Sequence, residues 1–271
     1  MKPNYSYHNH TYRCGHAVGR EEQYIESAIE EGIQYLGISD HCPFKGIYIH
    51  GDRMHYEELE DYLAKCQEMK EKYADQIEIF TGFEVEFLKE RSEEIRELYN
   101  RSDYLLLGHH LRELHPDHHA EYTYYCSDSD VLQYAKEVCE GLETGMFAAL
   151  NHPDYFMLGR KCWNEACEKA AHMICECAKR CNVPLEINLK GMRRGKHRYR
   201  DGEFYPYPYR RFFEIAAEYG NTCVYGHDAH APLDFVDERE LALAEEILQG
   251  LNLNILESFD IKAYRRRNND I

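Results

Sequence analysis

Histidine and carboxylate side chains carry most of the chemistry legible in this 271-residue chain. His8 and His10 follow a short apolar run, and His16 stands just beyond in Arg13-Cys14-Gly15-His16. Asp40-His41 closes the run that begins at Tyr35, Glu84 lies in Gly82-Phe83-Glu84-Val85-Glu86, and His109-His110 follow Tyr104-Leu105-Leu106-Leu107-Gly108. Asn151-His152-Pro153-Asp154, Glu186-Ile187-Asn188 and Gly226-His227-Asp228-Ala229-His230 complete the set. Residues two apart on a strand share a face, so His8 with His10, and Asp228 with His230, offer paired donors in one direction. Any one of these histidines alone reads as an ordinary hydrogen-bonded residue; strand after strand closing on His or an acid does not. Imidazole and carboxylate donors without thiolate suit zinc, iron, manganese or nickel. Nine candidates (His8, His10, His16, His41, Glu84, His110, His152, Asp228 and His230) exceed what one tetrahedral ion takes. They point to two or three divalent ions, Zn, Mn or Fe, with a carboxylate bridging. Ions held that close clamp attacking and leaving oxygens and acidify a bound water, which is equipment for hydrolysing a phosphate ester.

The fold must bring these donors together. Short apolar runs alternate with helical periodicity from end to end, the pattern of parallel strands joined by crossover helices. Strands are expected over 5–10, 35–41, 77–86, 104–110, 147–153, 184–191 and 222–230, and helices over 21–31, 56–73, 92–100, 129–143, 164–181, 209–219 and 238–249. Each candidate donor then falls at or just past the carboxyl end of a strand, the end where a parallel barrel builds its active site. The expectation is an α/β fold, one closed barrel in a single domain over 1–271, with 265–271 as a flexible tail. An open doubly wound sheet is disfavoured, since no G-x-G-x-x-G or P-loop follows any strand. The stretches 112–128 and 192–208 read as long loops, which in a compact domain are functional or mobile.

Composition narrows the partners. With 32 basic against 49 acidic residues the formal charge is −17, a surface that repels nucleic-acid phosphates. No run approaches the ~20 apolar residues of a membrane helix, and Met1–His10 lacks an apolar signal core, so a cytoplasmic location without membrane contact is expected. The 11 cysteines form no disulfide framework, and Cys162, Cys167, Cys175, Cys177 and Cys181 read as buried thiols. Against the acidic background, 190–200 carries six Lys or Arg and no acid. Arginine forks match phosphate oxygens, so Arg193 and Arg194, with Arg160 from the preceding strand's loop, are the candidate contacts to a small phosphorylated substrate. Tyr205, Tyr207 and Tyr209 read as aromatic packing or a pocket wall. Nothing in the composition sets the oligomeric state.

At His8-Asn9-His10, the His16 loop, Ser39-Asp40-His41, Gly82-Phe83-Glu84, His110, His152-Pro153-Asp154, Glu186-Ile187-Asn188 and Asp228-Ala229-His230, the sequence resembles the PHP (polymerase and histidinol phosphatase) family, and within it the stand-alone histidinol-phosphatase branch. The resemblance implies a distorted (β/α)7 barrel with a trinuclear metal centre. It implies that His8, His10, Glu84 and Asp228 hold one ion and that His16, His41 and His230 hold a second. Glu84 would bridge to a third, completed by His110 and His152. A metal-bridging hydroxide would attack the phosphorus of L-histidinol phosphate in line, with Glu84, Asp228 and His230 in the catalytic machinery and Asp228 also protonating the leaving alkoxide. The chain departs from the family in placing His109 directly before the expected ligand, where strand register favours His110, and His227 where serine is common. The segment 111–126, with His115, His118 and His119, reads as a solvated or lid segment. A family phosphodiesterase or exonuclease activity is the alternative; the acidic charge and the lack of a basic track with stacking aromatics weigh against it.

Overall fold

The computed structural model describes residues 2–116, 118–236 and 238–267, the side chains of 265–267 excepted. Eight parallel strands form one sheet in sequential order: β1 (Tyr5–Ser6), β2 (Tyr35–Ile38), β3 (Glu78–Val85), β4 (Tyr104–Leu107), β5 (Ala149–Leu150), β6 (Leu185–Asn188), β7 (Thr222–Gly226) and β8 (Asn254–Ile255). Helices Glu21–Glu30, Leu59–Lys72, Ser92–Arg101, Asp128–Leu142, Glu165–Arg180, Arg210–Tyr219 and Arg239–Ile247 connect or follow them, within a few residues of the expected spans. Side-chain caps account for some of the boundaries. Asn164 Oδ1 accepts the Cys167 N–H, and Ser127 shares a capping box with Asp130, each satisfying an otherwise orphaned amide.

The sheet curls into a distorted barrel, as the resemblance implies. At the carboxyl mouth, Asn9 bridges to Ala229: the His10 N–H donates to Ala229 O at 2.8 Å and the Ala229 N–H to His8 O at 3.2 Å. At the opposite end β8 pairs with the start of β7, and the Tyr5 hydroxyl donates to Leu256 O at 3.2 Å. An eighth, two-residue strand is therefore an addition to the seven expected; a segment that short carries no alternation to read.

Strand alternation decides what each side chain does. Phe83, Val85, Leu105, Leu107, Leu150, Leu185, Ile187, Cys223 and Tyr225 pack outward under the helices in the main core. The intervening residues point inward. Near the amino ends these are Phe80, Tyr104, Leu106, Ala149 and Val224, which with Tyr5, Tyr7, Phe259 and Ile261 plug the barrel floor. Continue along the same registers and the inward positions become Glu84 and Glu86, Gly108 and His110, Asn151, Glu186 and Asn188, and Gly226 and Asp228. One alternation thus produces an apolar floor and a polar mouth.

The two expected loops contain antiparallel ribbons, Leu111–Leu114 with His119–Glu121 and His197–Tyr199 with Gly202–Phe204. In the second, Arg200-Asp201 is a two-residue hairpin loop followed by Gly202 at φ 154°. All 11 cysteines are free. Of the 265–271 tail, 265–267 end the helix Ile261–Arg267, and the rest lies outside the described residues. No described helix is long and apolar enough to cross a membrane.

Candidate metal centre

Glu84, 2% exposed on β3, is the hub of the barrel mouth. Its two oxygens serve different partners. Oε1 lies 2.9 Å from His152 Nε2, 3.1 Å from His8 Nε2 and 3.7 Å from His110 Nε2, while Oε2 lies 3.3 Å from both His10 Nε2 and His41 Nδ1. Asn151 Nδ2 also donates to Oε1 at 2.9 Å. Asp228 Oδ1 sits 3.5 Å from both His8 Nε2 and His10 Nε2, and Oδ2 accepts from Asn188 Nδ2 at 3.0 Å. The backbone is strained where it matters: His152 has φ 26° and Asp228 φ 47°, in the left-handed region that residues other than glycine avoid.

Hydrogen bonds fix which nitrogen of several rings is free. His16 Nδ1 lies 3.0 Å from Gly51 O, and His230 Nδ1 lies 2.9 Å from Asp228 O. A carbonyl only accepts, so each Nδ1 carries its proton and each Nε2 presents a lone pair. Those two Nε2 atoms face one another at 2.9 Å. The carboxylates of Glu186 and Glu86 orient His8 and His110 in the same way, at 2.8 and 2.7 Å from Nδ1. Their Nε2 atoms then face His10 Nε2 and His152 Nε2, each at 3.0 Å. Between His16 and His230 the opposed lone pairs repel unless a cation is shared, and Asp228 Oδ1 is buried without a hydrogen-bond partner. Lys190 Nζ, 2.7 Å from His230 Nε2 and 3.6 Å from Asp228 Oδ1, already brings one positive charge to this spot. The donor set therefore fits divalent ions.

Titration follows the same layout. Burial drives His10 down to about 4 and holds His41 and His230 well below their usual value, leaving neutral imidazoles with ligand-competent lone pairs. Burial also opposes charge on His110, but the Glu86 and Glu84 carboxylates win and raise it to about 9. Glu84 and Asp228 stay well below the usual carboxylate range because His8 and other cationic neighbours outweigh burial.

All nine expected ligands converge on this mouth. Donor atoms within 4.8 Å of one another group as His8–His10–Glu84, His8–His152–Asp228 and His41–Glu84–His110, while Cys14 groups with His10 and His230. His41 groups with Glu84 and His110, and its ring also lies beside those of His10 and His16, with centroids 4.4 and 5.5 Å away. Burial pushes the Cys14 thiol up to about 12, so it stays protonated. His109 turns away to Glu137, 2.8 Å from Oε2, and His227 is buried edge-on to Phe235. Among the three arginines, only Arg194 borders the mouth. Arg193 Nη2 is taken up by the main-chain oxygens of His227 and Asp228 at 2.6 and 2.9 Å, so it fixes the Asp228 turn. Arg160 is bound to Cys126 O at 2.5 Å and Asp128 Oδ1 at 2.6 Å, on a separate cavity.

The mouth encloses about 160 Å³ and is completed by Lys190, Asp52, Glu121, Tyr155 and Tyr207. A larger, more apolar cavity of about 440 Å³, lined by Phe204, Tyr205 and Ile247, contains none of the donors. The Tyr207 wall is braced from behind: Asp154 Oδ2 accepts the Tyr209 N–H at 2.5 Å, and Tyr209 stacks on Trp163 with centroids 5.3 Å apart.

Glu86 and Lys190 were not singled out as functional by sequence reasoning. The signal for Glu86 was available, because it lies two residues beyond Glu84 and so shares its face. Glu86 Oε1 orients His110, and Oε2 accepts the His110 N–H at 2.7 Å. Glu86→Gln should therefore weaken metal retention by about 10- to 100-fold without unfolding the barrel, measured by dialysis against a chelator. Asp154 gives a pH signature. Burial raises it from 3.8 to about 7 although the Tyr209 N–H pulls the other way. Between those values the folded state binds a proton that the unfolded state has lost, so stability falls as pH rises through that window. Asp154→Asn keeps an acceptor for Tyr209 and should flatten that slope, read by denaturation at about pH 5, inside the window, and at about pH 8, roughly one unit above it.

A parallel barrel with paired imidazoles and a shared carboxylate at its mouth defines a metal-dependent hydrolase. The chain belongs to the PHP family: the PHP domain model matches residues 6–190. It is 28% identical over 233 residues to a Deinococcus radiodurans protein named "Probable histidinol-phosphatase", covering 83% of this chain and 85% of that one. A Schizosaccharomyces pombe protein of the same name is 23% identical over 252 residues, covering 84% of this chain and 80% of that one. The fold matches the histidinol phosphate phosphatase of Lactococcus lactis, crystallised with zinc, L-histidinol and phosphate, at a TM-score of 0.69 and 14% identity over 93% of this chain and 95% of that one.

Proposed function

We propose that this chain is a metal-dependent phosphomonoesterase, a histidinol-phosphatase that converts L-histidinol phosphate and water to L-histidinol and phosphate. Residues 1–271 act as one domain. Two to three divalent ions, Zn, Mn or Fe, are held by His8, His10, His16, His41, Glu84, His110, His152, Asp228 and His230. The observation that carries this reading is the division of the Glu84 oxygens between His8, His110 and His152 on one side and His10 and His41 on the other, the arrangement of a bridging ligand. When bound, the ions supply Lewis acidity and an acidified water.

The chain's own residues do the rest. Arg194, whose Nε donates to the Tyr207 hydroxyl at 2.9 Å, presents its remaining N–H groups to a phosphate oxygen. Lys190 Nζ is the second phosphate contact and the proton source for the leaving alkoxide, since burial lowers its pKa while Asp228 stays ionised. That moves the leaving-group role from Asp228 to Lys190 and leaves Asp228 as a ligand. Asp52 and Glu121 at the rim suit a cationic alcohol such as histidinol.

The test is phosphate release by the purified, metal-loaded chain from L-histidinol phosphate, other monoesters and a short oligonucleotide. Histidinol phosphate should be preferred; cleavage of the oligonucleotide alone would establish the exonuclease reading instead. Arg194→Ala should lower kcat/KM by about 10- to 150-fold, the worth of one charge-assisted hydrogen bond, with metal content intact. Arg160→Ala should leave kcat/KM little changed, because its guanidinium is engaged elsewhere.

A further inference from the structure

The ribbon that follows β4 brings together at its tip three metal-competent side chains that the barrel mouth does not use. Leu111 pairs with Glu121, Glu113 with Ala120 and Leu114 with His119. Beyond the ladder, the His115 N–H donates to His118 O at 2.9 Å and closes the tip. The donor atoms of Glu113, His115 and His118 all lie within 4.8 Å of one another. His118 Nε2 is 3.4 Å from Glu113 Oε2, and the His115 and His118 rings stack with centroids 4.6 Å apart. All three side chains are exposed, and none borders the catalytic cavity.

We propose that the tip of this ribbon is a second, peripheral site for a borderline divalent ion of the zinc type. Two imidazoles and one carboxylate, with positions open to water, are a zinc donor set. Calcium and magnesium demand oxygen ligands and are poorly served by it. The set is preorganised. Glu113 and His115 are two apart on one arm and so share a face, while His118 comes from across the turn, and main-chain bonds hold the backbone on both sides. Little beyond side-chain rotation has to be ordered on binding. The base of the same ribbon supplies Leu111 and Glu121 to the mouth, and the Tyr122 N–H donates to His110 O at 3.0 Å. An ion that cross-links the two arms at the tip therefore stiffens a wall of the catalytic cavity from outside it.

The experiment uses the tag-free full chain with its catalytic centre already loaded, dialysed against increasing free zinc, with bound zinc counted by elemental mass spectrometry. The wild type should take up one more zinc per chain than a His115→Ala/His118→Ala double variant, and His119→Ala should behave as the wild type. Amide exchange within 111–121 should slow with zinc in the wild type and not in the double variant. Equal zinc uptake by wild type and double variant overturns the site, as does an equal loss in His119→Ala. Neither readout uses turnover, so failure of the histidinol-phosphatase reading leaves this result standing.

Discussion

Glu84→Gln should yield a folded barrel that binds at least one fewer metal ion per chain and turns over about 10³-fold more slowly or worse. That is the scale of losing one preorganised electrostatic group at a reacting centre. The substitution is close to isosteric and keeps an oxygen for Asn151 Nδ2, so packing around the hub survives. What it removes is the negative charge that imidazoles approach from two directions, at 2.9 Å from His152 and 3.3 Å from both His10 and His41. An amide also presents only one acceptor, so one of the two groups loses its partner. Metal analysis beside a thermal melt separates the cases. Unchanged metal content with full activity would show that Glu84 does not bridge.

Gly108→Ala should do nearly as much damage without touching a ligand. A Cβ built at Gly108 would lie 2.1 Å from Glu84 Oε1 and 2.4 Å from both its Cδ and Cγ. The whole carboxylate arm is in the way, so rotating its tip gives no relief. The barrel wall must yield or Glu84 must leave its partners, and the arm is the softer of the two. Gly226 stands in the same relation to Glu186, at 1.7 Å from Oε1, and Glu186 orients His8. The expected result for Gly108→Ala is a melting transition close to wild type, loss of at least one ion, and activity near that of Glu84→Gln. A variant with full metal and activity would mean that the arm can bend without cost.

Much of this was legible in the sequence, for identifiable reasons. The helix over 164–181 announces itself through Asn164, which caps it, and through apolar positions at helical spacing. The placement of His110 in the mouth and His109 outside follows from alternation with Leu106 and Gly108 on the inner face. The arginines show the limit. Arg160 and Arg193 look as available to phosphate as Arg194 does, and what engages them lies far along the chain, at Asp128 in one case and at the carbonyls of His227 and Asp228 in the other. The ribbon at 197–204 is harder to read, because its two loop residues are Arg200 and Asp201, not one of the pairs that favour a tight hairpin. The strand at Asn254–Ile255 has no signal of its own, because its two residues are too few to show an alternation and are fixed by pairing with Thr222 and Cys223.

The stacked pair behind the Tyr207 wall has a practical consequence. Trp163 is the chain's single tryptophan, and its ring stacks nearly parallel to that of Tyr209, at an interplanar angle of 5°. Tyr209 is two residues from Tyr207, and its amide is held by Asp154 on the segment that begins at the strained turn of His152. Excited beyond the absorption of its 23 tyrosines, this chain emits from one indole, packed against the frame that shapes the catalytic mouth. Metal loading and phosphate entry should shift that emission in the unlabelled protein.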